Sequence, residues 1–69
     1  MQHYYINLRC DSNGYNEVHE KSCVFLQIAN SKEYLGYFGN AIEAVSYAKR
    51  NGYPNADGCY YCSGEAHHI

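Results

Sequence analysis

The chain has 69 residues, a formal charge of -2 and 46% hydrophobic residues. That length leaves room for one small domain, residues 1–69, and excludes a multidomain receptor or a large enzyme. Five Lys and Arg residues with no basic run give a phosphate-tracking surface little to build on.

In chain order, residues 4–8 alternate Tyr4, Ile6 and Leu8 against Tyr5 and Asn7, which predicts a strand. Asp11-Ser12-Asn13-Gly14 is a turn signal, because Asn-Gly accepts the positive φ of tight hairpins. Residues 15–19 return as a second strand and deliver His19 at its far end. Val24, Leu26 and Ile28 alternate again and predict a third strand over 23–28. After a turn at 30–32, residues 34–38 form a further strand, with Gly36 marking a bulge or a close backbone approach.

The helix signal is the clearest. Asn40 is an N-cap residue type and Glu43 follows three positions later. Ala41, Val45 and Ala48 repeat at i, i+4, i+7, and Ile42 widens the stripe. Lys49 and Arg50 suit the negative end of the helix dipole, Gly52 suits the exit, and Pro54 prevents continuation. These signals predict a helix over 40–51. The expected fold class is α+β, a small antiparallel sheet of 3–4 strands carrying one helix.

The core of such a fold is thin. Apart from nine Tyr and four Cys, its main core-formers are four Ile, three Leu, three Val and two Phe. Domains of this size commonly rest on disulfides, a metal or a partner subunit. No charged start followed by a long apolar stretch is visible, and the apolar run 24–29 is far short of the roughly 20 residues of a membrane span. The expectation is a cytoplasmic protein with no membrane association. Thiols stay reduced there, which favours metal ligation or free thiols over disulfides.

Gly58-Cys59-Tyr60-Tyr61-Cys62-Ser63-Gly64 contains a Cys-x2-Cys pair. Two intervening residues let both sulfurs converge on one ion, a geometry that tetrahedral zinc favours. The flanking Gly58 and Gly64 are expected to supply backbone freedom. His19 and Cys23, with three residues between them, form a second half-site. The expected zinc ligands are therefore His19, Cys23, Cys59 and Cys62, with the Zn2+ structural. His67, His68 and Cys10 are alternatives for the fourth position.

The order Val18-His19-x3-Cys23, Leu35-Gly36-Tyr37-Phe38, Ala41-x2-Ala44-Val45 and Gly58-Cys59-x2-Cys62 resembles the zinc-binding amino-terminal domain of the Ada DNA-repair methyltransferases. It also resembles a group of small bacterial proteins of unassigned role with the same Val-His-x3-Cys and Gly-Cys-x2-Cys ends. The likeness covers residues 18–62 and lies in spacing and order. It implies that Cys23, Cys59 and Cys62 correspond to zinc ligands and that His19 replaces the first Cys of Cys-x3-Cys. In the Ada domain that Cys is the thiolate accepting a methyl group from a DNA phosphotriester. An imidazole can ligate zinc but is not that nucleophile. The resemblance therefore implies metal binding without the methyl transfer.

Three readings of function follow. The first is a zinc-stapled interaction module without catalytic residues, presenting a Tyr-rich surface to a macromolecular partner, protein ahead of nucleic acid. The second is a reactive-thiol protein, an alkyl acceptor or redox sensor using Cys23, Cys59 or Cys62. The third is a metal-free fold with structural thiols, stabilised by self-association. An enzyme would need an open metal position, with three Cys and water on the ion and Glu17, Glu20 or His67 as base.

Overall fold

A computed structural model describes residues 1–67. Among them are four strands: β1 (Gln2–Asn7), β2 (Asn16–Glu20), β3 (Lys32–Phe38) and β4 (Ala56–Gly58). A short helix α1 (Val24–Gln27) lies between β2 and β3, and the main helix α2 (Ala41–Arg50) between β3 and β4. One 3-10 turn, Gly64–Ala66, follows. The strands form one sheet in the order β3-β1-β2-β4. The architecture is the expected α+β.

Strand β1 pairs antiparallel with both β2 and β3, and β1–β2 is the expected hairpin. In the β1–β2 turn Asp11 Oδ1 accepts from the amides of Asn13 (2.8 Å) and Tyr15 (2.9 Å). Gly14 sits at φ 87°, the left-handed conformation that the Asn-Gly signal implies. The bulge expected at Gly36 is present: Tyr4 pairs with Gly36 and Tyr5 with Tyr34, so Leu35 is skipped.

Two expectations are corrected. Residues 23–28 are not a strand; α1 occupies 24–27. The alternation assumed one buried face, yet only Leu26 is buried while Val24 and Ile28 are exposed. A four-residue window cannot separate the two periods once the apolar residues do not all face inward. The sheet is also mixed rather than purely antiparallel, because β4 pairs parallel to β2. The crossover through β3 and α2 returns the chain to the sheet in the same direction as β2, as a helical crossover between parallel strands does.

Helix α2 forms as its sequence predicts. Asn40 caps it, its side chain accepting from the Glu43 amide at 2.9 Å. Glu43 in turn accepts from the Gly39 amide at 3.1 Å. Its inner stripe, Ala41, Ala44, Val45 and Ala48, is buried against Tyr4, Ile6, Val18 and Ala56 of the sheet. Ile42, included in the predicted stripe, is exposed.

Tyr4 and Ile6 face α2, so Tyr5 faces the opposite side of β1. There a second cluster forms from Cys23, Leu26 and Cys59, with Tyr5 and Cys62 packed on it. Of the aliphatic core-formers only Ile6, Val18, Leu26 and Val45 are buried among the described residues. The second face of the sheet is therefore held largely by thiols. No helix of the described residues is long and apolar enough to cross a membrane.

Candidate metal centre

Three pieces of chain converge on this second face. Strand β2 carries His19 opposite Tyr5 of β1. The chain then turns, the Cys23 amide donating to the Glu20 carbonyl at 3.0 Å, and Cys23 stands at the N-cap of α1. Its carbonyl accepts from the amides of Leu26 and Gln27, and that first turn pins Cys23 in place.

The second pair arrives along β4. Val18 pairs with Gly58, and one residue further the Cys59 amide donates to the Val18 carbonyl at 3.0 Å. The parallel ladder thus sets Cys59 beside His19. The Ser63 amide donates back to the Cys59 carbonyl at 2.9 Å, and this tight turn returns Cys62 toward the same point. Gly58 is required here for space: a Cβ would sit 2.5 Å from the Ser63 carbonyl oxygen and 2.9 Å from Ala66. Gly64, expected to serve the same turn, has open space around it and no left-handed backbone.

The donor atoms of His19, Cys23, Cys59 and Cys62 all lie within 4.8 Å of one another. The sulfurs of Cys23 and Cys59 are 4.0 Å apart, and Cys62 Sγ is 3.9 Å from His19 Nδ1. In a tetrahedral zinc site with bonds of about 2.3 Å, neighbouring sulfurs stand about 3.8 Å apart. Closing this set around an ion needs only small side-chain adjustments. His19, Cys23 and Cys59 are buried and Cys62 is half-buried. All four cysteines of the chain are free thiols.

The surroundings favour neutral groups while no cation is bound. Burial pushes the Cys62 thiol up to about 12, opposed by the Ser63 hydroxyl and the Glu20 amide. That hydroxyl lies 3.4 Å and that amide 3.3 Å from the sulfur. Burial raises the Cys59 thiol as well, while the backbone amides of Cys62 and Tyr61 pull it down. Amides aimed at a sulfur stabilise a thiolate, so here they oppose the effect of burial without overcoming it. Burial lowers His19, and the charge of Lys32 lowers it further. A divalent cation would reverse this balance at the thiols, taking them as thiolates, and would take His19 in the neutral form that burial already favours.

The alternative fourth ligands lie elsewhere or outside the described residues. Cys10 is exposed, its thiol 3.8 Å from Asn16 Oδ1 near the hairpin turn. His67 Nδ1 lies 2.9 Å from the Gly58 carbonyl and 3.2 Å from Asp57 Oδ2. His68 falls outside the described residues. Ser63 and the Glu20 amide have no sequence signature of their own. Glu17, a candidate base by residue type, shares a strand face with His19 by the period of two.

An aromatic surface adjoins the cluster. Tyr60 and Tyr61 of the turn are strongly exposed, and Phe25 of α1 stacks on Tyr61 with ring centroids 4.7 Å apart. The two tyrosines meet edge to face at 5.2 Å.

The chain matches no protein-family model, no curated protein and no solved structure.

Proposed function

We propose that this chain is a zinc-binding module whose metal is structural, holding a small α+β domain together so that it can present a surface to a partner. The convergence of one imidazole and three thiol donors within 4.8 Å, from segments 36 residues apart, carries this reading. Soft sulfur donors with one imidazole suit zinc over magnesium or calcium. Four protein donors fill a tetrahedron and leave no position for substrate, which makes the role structural rather than catalytic. A structural zinc ion contributes on the order of 10 kcal/mol in small domains, enough to matter where so few aliphatic side chains are buried.

The likeness to the Ada zinc domain supports the metal assignment and, through His19, weighs against methyl transfer. The exposed Tyr60, Tyr61 and Phe25 surface is where a partner would bind. Five Lys and Arg against seven carboxylates favour a protein over a nucleic acid. Four free thiols fit a reducing, cytoplasmic setting.

The test is elemental analysis of protein purified under reducing conditions without chelator, followed by thermal melts with and without excess EDTA. One zinc per chain and a melt lowered by EDTA are expected. A folded protein without metal, whose melt EDTA leaves unchanged, would overturn the proposal in favour of a metal-free fold with structural thiols.

A further inference from the structure

The two ring nitrogens of His19 have different surroundings. Nδ1 faces the thiols, 3.9 Å from Cys62 Sγ. Nε2 is buried and has no hydrogen-bond partner among the described residues. A buried polar atom left unpaired is costly and uncommon, so an orphan of this kind calls for an explanation.

Glu17 supplies one. It precedes His19 by two residues on β2, so both side chains leave the same face of the sheet. Its Oε1 lies 3.8 Å from His19 Nε2, and its side chain is 30% exposed. That separation is too long for a hydrogen bond, but a side-chain rotation of about an ångström closes it. The neighbouring carboxylate on the parallel strand, Asp57, already lies 3.2 Å from His67 Nδ1.

Metal binding changes what Nε2 must do. A neutral imidazole that gives its Nδ1 lone pair to a cation carries its proton on Nε2 and has to donate it. We propose that Glu17 is a positioning residue of the metal centre: its carboxylate accepts the Nε2–H of His19 while Nδ1 holds the ion. This fixes the tautomer and the plane of the ring and makes the imidazole a stronger donor. The inference rests on the zinc reading above and extends it to a residue outside the donor set. Glu17 touches no ion itself.

The experiment compares zinc affinity, by competition with a chromophoric chelator, in the native protein, Glu17→Ala and Glu17→Gln. Partners of this kind typically change metal affinity 10- to 100-fold when removed. Glu17→Ala should weaken zinc within that range. Glu17→Gln, which keeps an acceptor oxygen, should recover part of the loss. Two further readouts distinguish positioning from a general loss of fold. In the zinc-loaded native protein, 15N-resolved NMR should show His19 protonated at Nε2, with a ring N–H protected from exchange. That protection should disappear in Glu17→Ala. The visible spectrum of the Co2+-substituted protein should also shift between native and Glu17→Ala.

Equal zinc affinity in all three proteins, or a protected ring N–H that persists in Glu17→Ala, would overturn the role of Glu17. If Glu17→Ala fails to fold, the Glu17→Gln affinity and ring N–H decide, because the amide accepts more weakly than the carboxylate. A native protein that takes up neither Zn2+ nor Co2+ would overturn the zinc reading and this role together. Native binding that His19→Ala leaves unchanged would do so for His19 and Glu17 alone.

Discussion

Cys23 and Cys59 are separated by 36 residues along the chain and by 4.0 Å at their sulfurs. Between them lie α1, β3, α2 and β4, more than half of the regular structure among the described residues. A cation held by both residues closes that whole loop, and closure of long loops removes the most freedom from the unfolded chain. Cys10, the fourth thiol, is exposed near the hairpin turn and closes nothing.

Cysteine substitutions should therefore separate sharply. Cys10→Ser should retain one zinc per chain and melt within about 0.5 kcal/mol of the native protein, as surface changes do. Cys59→Ser should lose stoichiometric zinc and melt like the EDTA-treated protein. Metal analysis and calorimetry on the two variants check this; equal zinc content in both would assign Cys59 a packing role only.

Gly58 and Gly64 flank the Cys59–Cys62 turn with opposite tolerance. A Cβ at Gly58 meets backbone atoms of Ser63 and Ala66, which cannot swing aside as a side chain does. Gly58→Ala should cost about 1–3 kcal/mol, the range for overpacking, and should also displace Cys59 and weaken zinc binding. Gly64→Ala meets nothing within 4 Å and should leave both properties intact. Urea unfolding with zinc titration compares the two.

The metal-free protein should have a bounded pH range of stability. Burial raises Cys62 to about 12 and also raises Cys59. Their contribution is complete below the unfolded thiol value of about 8.5 and is lost as pH rises through the higher folded values. His19 is lowered, so its contribution is present above about 6.5, the unfolded value, and is lost as pH falls through the folded value. Urea midpoints under EDTA and reductant should be highest between roughly pH 6.5 and 8.5 and decline on both sides. A profile still rising at pH 10 would contradict the thiol assignment. Zinc-loaded protein should instead keep its stability on the alkaline side, because bound thiolates are already deprotonated.

The cap of α2 gives a test independent of the metal. Asn40 accepts from the Glu43 amide at 2.9 Å on an exposed helix end. Asn40→Ala should cost about 1 kcal/mol, read as a lowered urea midpoint with unchanged zinc stoichiometry.

Local rules reached some of this structure and not the rest. Helix α2 was legible because its cap, stripe and exit residues all agree over ten positions, and agreement between independent signals identifies an element. Helix α1 was not, because it is set by where Cys23 is tethered rather than by the pattern of Val24, Leu26 and Ile28. Strand β4 escaped notice because Ala56-Asp57-Gly58 has no β-branched or aromatic residue; its pairing with β2 is a tertiary event. The four clustered residues were legible because ligand spacing is itself short-range, with three residues between the ligands in one half-site and two in the other. Glu17 in its position beside Nε2 was not, since only the rotation of the His19 ring distinguishes it.

The parallel ladder has a kinetic consequence. The hydrogen bond from the Cys59 amide to the Val18 carbonyl is the last rung of the β2–β4 edge and the one nearest the donor set. An edge strand of three residues frays at its ends more readily than the central pair β1–β2. A fraying event at this end would carry Cys59, and with it Cys62, away from His19 and Cys23. Exchange of a bound ion with solution would then be timed by the opening of this edge rather than by the strength of individual bonds. Hydrogen exchange at the Cys59 amide would follow the ion's residence time.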